Sequence, residues 1–220
     1  MGGVQSAAGL AEKRQLMILA QRELRVAVKA RRIVFDPPLE ETQWGKASVD
    51  LRLGFEFTRF RRDIDHPKYT ISVADGLEIV GKLGIHERVL IPAAGHRQQQ
   101  DYYTLRPGDL VLAMTYESIT VPRDMIARLE GRSTYARVGL SVHQTAPWAQ
   151  PGWEGPLILE IFNSGPLTLA LTPLVDRPCQ LSFFRLSSKL PQRLAYGARS
   201  TDRYQHQKQA IPRGAGSRRR

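Results

Sequence analysis

Residues 131–165 read GRSTYARVGLSVHQTAPWAQPGWEGPLILEIFNSG and decide the fold of this chain. The segment opens with a turn rich in arginine and hydroxyl groups, and it closes with the apolar run LILEIF, which predicts a β-strand. Glu160 is the charged residue inside that run. Burying an ionised carboxylate costs free energy unless a partner compensates it. Glu160 is therefore either a proton-transfer group in a sheltered site or a carboxylate on the solvent face of a half-buried strand.

Short β segments separated by turns extend outward from this stretch in both directions. The predicted strands are SVDLRLGFEFTRF, YTISV, RVLIP, YYTLR, DLVLAMTYESITV, IARLEG, GLSV, PLILEIFNS, PLTLALT and CQLSFFRL. Proline and glycine mark turns at residues 106–109 and 163–166, because proline presets φ and glycine supplies positive φ. Many short strands with little helix predict an all-β sandwich or a jelly-roll-like barrel.

The two ends of the chain differ from this β pattern. Residues 1–12 are small and polar and predict a disordered extension. Residues 13–32 predict a basic amphipathic helix, and its apolar face consists of Leu16, Leu19, Leu24 and Val28. The predicted domain spans residues 13–190 and includes this helix. Residues 191–220 predict a tail with a basic end, which becomes ordered only where it has something to contact.

Composition limits the possible functions. The chain has 220 residues, of which 42% are hydrophobic, enough for one core. Its one cysteine, Cys179, excludes an internal disulfide framework, and its five histidines lack the spacing of a zinc site. No run is long enough to span a bilayer and no secretory segment is recognisable, which predicts a cytoplasmic protein without membrane contact. A formal charge of +11 favours polyanionic partners.

Three further segments carry candidate chemistry. In residues 131–137, hydroxyl and guanidinium groups follow a glycine and can donate to phosphate oxygens, although a solvated surface turn has the same composition. In residues 143–153, Trp148 and Trp153 can wall a pocket for a flat base or pack beneath the loop, and packing is the preferred interpretation for Trp153. In residues 203–209, one aromatic among donors suits a lid that closes over a nucleotide.

Taken together, these motifs resemble the dCTP deaminase family, the all-β trimeric relatives of dUTPases. The motifs that carry the resemblance are Ala47–Gly54, the S-x-x-A-R sequence of residues 133–137, Thr145-Ala146, Pro151–Gly155, Leu159-Glu160, Asn163–Gly165, and Arg203-Tyr204 with Gln207. Their order and spacing match the family over residues 17–210. The resemblance implies a dUTPase-like distorted jelly-roll with an N-terminal helix and a flexible C-terminal tail. It also implies a homotrimer with its sites at subunit interfaces.

The resemblance further implies zinc-independent hydrolysis of dCTP to dUTP and ammonia. Glu160 would take a proton from water and return it to the leaving ammonia, Ser133 and the Ala146 carbonyl would hold the water, and Arg137 would stabilise the triphosphate or the tetrahedral intermediate. The implied substrate-binding residues are Arg132, Ser133, Thr134, Arg137, Thr145, Trp148, Gln150, Arg203, Tyr204 and Gln207. Magnesium would arrive on the substrate triphosphate and would not be held by a protein site. The implied partners are dCTP and dUTP, with dTTP as a candidate inhibitor.

One departure from the family pattern concerns residues 149–150, where Ala-Gln replaces the usual Ile-Asp. In the family that aspartate lies by the deoxyribose, and in phosphate-cleaving members it also assists water attack. Gln150 keeps an acceptor oxygen but loses the charge and the basicity. We therefore expect sugar binding to survive and diphosphate cleavage to be weak. Trp148 resembles the aromatic found in bifunctional deaminase–dUTPase branches, which retain the aspartate, so these two indications conflict.

Three hypotheses of different classes follow. The preferred one is the deaminase. The second is a catalytically impaired dNTP-binding or regulatory trimer of the same fold, motivated by Gln150 and the basic ends of the chain. The third is a nucleic-acid-binding module, motivated by the charge of +11 and by the terminal arginine run of residues 218–220, for which we expect only weak electrostatic binding.

Overall fold

A computed structural model describes residues 17–62, 70–72, 76–93, 100–200, 202 and 204–211. Within these ranges the helices are α1 (Gln21–Lys29), α2 (Gly76–Leu83) and the single turn α3 (Ser133–Ala136). The strands are β1 (Val34–Asp36), β2 (Val49–Leu51), β3 (Leu53–Phe60), β4 (His86–Leu90), β5 (Tyr103–Leu105), β6 (Leu110–Thr120), β7 (Met125–Gly131), β8 (Leu140–Ser141), β9 (Trp148–Ala149), β10 (Glu154–Asn163), β11 (Leu169–Leu171) and β12 (Cys179–Arg185). No helix in the described ranges is long and apolar enough to cross a membrane.

The strands form three antiparallel sheets. The largest has the order β4-β3-β6-β10-β8, and β1 also pairs with β6. A second sheet has the order β2-β12-β7-β9, and β11 pairs with β5 in the third. Residues from all three sheets share one hydrophobic core, in which Phe57, Leu159 and Phe183 are fully buried. The predicted mainly β fold is confirmed.

Strand β10 shows the alternation of a strand with one face on the main core. Leu157, Leu159 and Ile161 are buried, whereas Ile158 and Glu160 are half-buried on the opposite face. Glu160 lies opposite Leu112 of β6. The run LILEIF therefore forms the predicted strand, and it directs its carboxylate away from the main core.

A smaller hydrophobic cluster covers this opposite face. It contains the buried residues Val80, Ile85, Leu112, Ala210 and Ile211, with Ile158 packed against them. The cluster thus joins α2 and the C-terminal tail to the outer face of the largest sheet. Helix α2 is not among the predicted elements. The described tail residues Ala210 and Ile211 are ordered here because apolar side chains meet at this cluster.

The predicted N-terminal helix begins later than expected, at Gln21. Residues 17–19 run beside β12 instead, where the Leu19 amide donates to the Phe183 carbonyl at 2.9 Å and the Arg185 amide donates to the Met17 carbonyl at 2.9 Å. These hydrogen bonds at the edge of β12 replace the first helical turn. The part of the prediction that falls on residues 13–16 lies outside the described residues, as do the predicted disordered extension of residues 1–12 and the basic end from residue 212 onward.

Two strand predictions need correction. SVDLRLGFEFTRF is not one strand, because it divides at Arg52 into β2 and β3, which belong to different sheets. YTISV is wrong over residues 70–72, which are not in a strand. Both segments match β propensity locally, and the pairing available in the folded chain decides their conformation.

Candidate active site

A cavity of about 540 Å³ lies between the outer face of β10, the connection of residues 144–150 and the C-terminal tail. Six residues predicted to form the site line it: Ala146, Trp148, Gln150, Glu160, Tyr204 and Gln207. They come from three separate parts of the sequence. Apolar side chains such as Leu112 and Ile158 complete its walls. The cavity therefore combines an apolar wall with a few polar groups, which is typical of a small-molecule site.

Gln144 holds Glu160 at this cavity. The backbone amide of Gln144 donates to Glu160 Oε2 at 2.9 Å, and the side-chain Nε2 of Gln144 donates to the backbone carbonyl of Glu160 at 3.2 Å. Glu160 Oε1 has no hydrogen bond to a described residue, so it is available to a ligand. Gln144 could not be predicted from the sequence, because a contact between residues 144 and 160 depends on the pairing of β8 with β10.

Trp148 forms an aromatic wall of the cavity. The guanidinium of Arg128 lies 5.5 Å from its ring centroid, and Phe184 packs edge-on at 5.8 Å. Arg128 Nε donates to Glu130 Oε1 at 2.7 Å. Burial opposes ionisation of Glu130, but hydrogen bonds from Arg128 and His143 outweigh it and lower the pKa of this carboxyl below its ordinary value. Glu130 therefore stays ionised at neutral pH and holds Arg128 over the indole.

Trp153 and Gln150 have different roles in the wall. Trp153 is 8% exposed, donates through Nε1 to the Gly155 carbonyl at 3.1 Å, and packs 5.2 Å from the ring of Tyr196. It is thus mainly a packing residue. The exposed Gln150 side chain makes no hydrogen bond to a described residue, so its amide can donate to or accept from a ligand.

The C-terminal tail (residues 191–211) closes the cavity by pairing with the chain that enters β10. The Tyr196 amide donates to the Pro151 carbonyl at 2.8 Å, and the His206 amide donates to the Glu154 carbonyl at 3.0 Å. These contacts place Tyr204 and Gln207 at the cavity. The predicted site residue Arg203 lies outside the described residues.

The close approach of the tail depends on Gly152. This glycine has φ of +91°, and a Cβ there would lie 2.8 Å from the Cβ of Ala195. A side chain at this position would therefore force the tail away, in addition to straining the backbone.

The predicted phosphate-binding turn lies elsewhere on this chain. Ser133, Thr134 and Arg137 are exposed, and their side chains make no hydrogen bond or ion pair with the described residues. Neither they, nor Arg132, nor Thr145 are among the described residues that line the cavity. The described lining includes the carboxylate of Glu160 but no lysine or arginine. The cavity of one chain therefore lacks, over its described lining, the cations that a triphosphate needs.

A second cavity, of about 710 Å³, shares Tyr196 with the first. Its lining mixes charges of both signs, including an ion pair between Arg32 and Asp124. None of the predicted site residues that the structure describes lines it. Among the described residues, no group of three or more His, Cys, Asp or Glu side chains is placed to hold a metal ion.

Comparison with known proteins places the chain in a family. A family model described as dCTP deaminase-like matches residues 18–186. The dCTP deaminase of Shewanella loihica is 36% identical over 199 residues, which covers 89% of this chain and 96% of the relative. That of Rhodospirillum rubrum is 35% identical over 198 residues and covers 89% of this chain and 95% of the relative. The chain therefore belongs to the dCTP deaminase-like family, which confirms the resemblance.

A solved structure supports the fold. The crystal structure of 2'-deoxycytidine 5'-triphosphate deaminase from Agrobacterium tumefaciens aligns with a TM-score of 0.59 at 23% identity. The alignment covers 78% of this chain and 49% of that chain, so this protein corresponds to about half of that structure.

Proposed function

We propose that this protein is a dCTP deaminase, an enzyme that hydrolyses dCTP to dUTP and ammonia. The observation that carries the proposal is the placement of Glu160 in the cavity, with Oε2 held by the Gln144 amide and Oε1 free for a ligand. The relatives named dCTP deaminase, at 35–36% identity over nearly the whole of their length, support the same activity.

In the proposed mechanism Glu160 Oε1 takes a proton from water as the oxygen attacks C4 of cytosine. The C4–O bond forms as the N3=C4 double bond opens, and Glu160 returns the proton to the amino group as the C4–N4 bond breaks and ammonia leaves. The second water proton moves from O4 to N3, which gives the 4-oxo base of dUTP. The Ala146 carbonyl and Ser133 from the turn of a neighbouring copy of the chain orient the water. Trp148 lies beside the base, and Gln150 accepts a hydrogen bond from the deoxyribose hydroxyl.

The triphosphate would bind to a neighbouring copy of the chain. The described lining of the cavity has no lysine or arginine, whereas the turn of residues 131–137 exposes Arg137 with Ser133 and Thr134. A homotrimer that places this turn beside the next chain's cavity would complete the site. Magnesium would enter on the triphosphate, and dTTP, which carries the same triphosphate, is a candidate inhibitor. A role in pyrimidine deoxynucleotide metabolism agrees with the predicted cytoplasmic location.

The direct test incubates the protein with magnesium and, separately, dCTP, dUTP or CTP, and separates the products by chromatography. We expect dUTP and ammonia from dCTP. We expect little dUMP from dUTP, because Gln150 lacks the basicity that diphosphate cleavage requires. Failure to convert dCTP would refute the proposed function, and dUMP formation as fast as dCTP deamination would refute our interpretation of Gln150.

The second candidate function is a dNTP-binding trimer with impaired catalysis, which the uncharged Gln150 side chain at the cavity favours. Calorimetry distinguishes the two functions. Binding of dCTP or dTTP without turnover over hours would select the binding protein, and binding with ammonia release would select the enzyme.

Replacing Arg128 by Met is expected to raise the KM for dCTP by about two- to fivefold and to leave kcat nearly unchanged, because an exposed cation–π contact contributes about 0.5–1 kcal/mol. The variant loses the guanidinium that orients Trp148. Steady-state kinetics measures the effect. Arg59→Met is the matched control, because its side chain is 45% exposed, close to the 46% of Arg128, and pairs with Glu87 on another strand. Equal KM values for the two variants would contradict the role of Arg128.

A further inference from the structure

The turn of residues 131–137 has two kinds of side chain. Ser133, Thr134 and Arg137 point outward without partners among the described residues. Arg132 and Tyr135 point inward and are engaged by the protein. The segment contains only the four-residue helix α3, which is too short to be stable alone. Its inward contacts must therefore determine where the outward side chains lie.

Tyr135 makes the main inward contact. Its hydroxyl donates to Asp176 Oδ1 at 3.1 Å and accepts from the Arg177 amide at 3.2 Å. Burial raises the pKa of the phenol above its ordinary value, so the hydroxyl remains protonated and keeps its donor role at working pH. Asp176 is itself held, since Oδ2 accepts from the Thr172 amide at 2.6 Å.

Arg132 binds the same segment from the other side. Its Nη1 donates to the Arg177 carbonyl at 3.0 Å, and its Nε lies 3.2 Å from Asp50 Oδ2. Two of the three guanidinium nitrogens therefore have protein partners. Arg132 thus supports the turn, and its role in substrate binding stays a prediction.

The segment of residues 176–177 is connected in turn, through the exposed carboxylate of Glu40, to the buried pair of Arg52 and Glu117. Arg177 Nη2 donates to Glu40 Oε2 at 3.0 Å, and Glu40 also binds Arg52. Arg52 Nε donates to the fully buried Glu117 at 2.7 Å. This set of hydrogen bonds connects the partner of Tyr135 to the core and so supports the position of the ligand-binding turn.

We infer that Tyr135 and Asp176 are positioning residues that orient the Ser133, Thr134 and Arg137 groups for the triphosphate of the substrate. The inference rests on the proposed function, because it takes this turn as the anion-binding part of the site. It assigns the pair an effect mainly on triphosphate affinity, with a smaller effect on the chemical step, because Ser133 of the same turn also orients the attacking water in the proposed mechanism. Sequence reasoning could not find the pair, since Tyr135 and Asp176 are 41 residues apart.

The test uses Tyr135→Phe in the full chain, which removes the hydroxyl and keeps the ring. The KM for dCTP should rise by about three- to tenfold, the factor expected from the loss of about one hydrogen bond, and kcat should fall by a smaller factor. Inorganic tripolyphosphate should inhibit the wild type competitively, and its Ki should rise by the same factor. Tyr103→Phe is the matched control, because Tyr103 is a buried tyrosine stacked on Phe57 at 4.7 Å, outside the cavity and the turn.

A second pair of variants covers the case in which Tyr135→Phe fails to fold. Asp176→Ala should reproduce the rise in KM, and Asp176→Asn, which keeps an acceptor oxygen, should restore most of the affinity. Unchanged KM and Ki in Tyr135→Phe, or a loss confined to kcat, would overturn the inference. If the wild type binds tripolyphosphate or dCTP but does not deaminate dCTP, the proposed function fails. The role of Tyr135 and Asp176 is then tested by dissociation constants for these anions, measured by calorimetry. If the wild type binds neither anion, the inference itself is wrong.

Discussion

Glu160→Gln is expected to lower kcat for dCTP deamination by about 100- to 10,000-fold, the contribution of a positioned general acid–base group. Glutamine has the size of glutamate, and its side-chain oxygen can still accept from the backbone amide of Gln144. The cavity should therefore keep its shape. Its amide cannot take a proton from water. The affinity for dCTP should therefore remain within about threefold of the wild type, because the loss concerns the transition state.

Ammonia release in single-turnover and steady-state assays measures the effect on kcat, and calorimetry measures the affinity for dCTP. Glu154→Gln is the matched control, since Glu154 starts the same strand, is 57% exposed, and does not line the cavity of Glu160. It should retain nearly the wild-type kcat. A Glu160→Gln enzyme that turns over dCTP at more than half of the wild-type rate would end the assignment of Glu160 as the proton shuttle.

The sequence predicts the centre of this molecule well because the local and global signals agree there. Alternating burial in β10 follows from the run LILEIF, and turns marked by glycine and proline bound the strands on either side. The same reasoning failed at Arg52, where one apolar run is shared between two sheets. No local pattern records which partner strand each half will find, so this division depends on the fold as a whole.

The candidate site shows a similar limit. Residues with distinctive chemistry, such as Glu160 and Trp148, can be singled out from the sequence, and the structure brings them to one cavity. Gln144 and Tyr135 cannot be singled out in this way, because the partners of their hydrogen bonds are distant in sequence. The individual roles of all these residues stay predictions until variants are measured.

Glu117→Ala is expected to destabilise the protein by about 3 kcal/mol or more, the loss typical of removing one partner from a buried ion pair. Glu117 is fully buried on β6, and its carboxylate accepts from Arg52 Nε at 2.7 Å and from Gln43 Nε2 at 2.9 Å. It also accepts from the Arg52 amide at 2.9 Å, at the residue where the chain leaves β2 for β3. The side chain thus supplies the acceptor that a neighbouring strand would otherwise provide.

The alanine substitution destabilises the folded protein in two ways. The Arg52 guanidinium, 10% exposed, keeps Glu40 but loses its buried carboxylate, and the Arg52 amide loses its acceptor. Urea unfolding at a fixed protein concentration measures the change in the free energy of unfolding. Glu41→Ala is the matched control, because Glu41 also pairs with an arginine, Arg25, but is 80% exposed, and its loss should cost no more than about 1 kcal/mol. Similar unfolding midpoints for the two variants would show that the buried carboxylate does not stabilise the chain at Arg52, between β2 and β3.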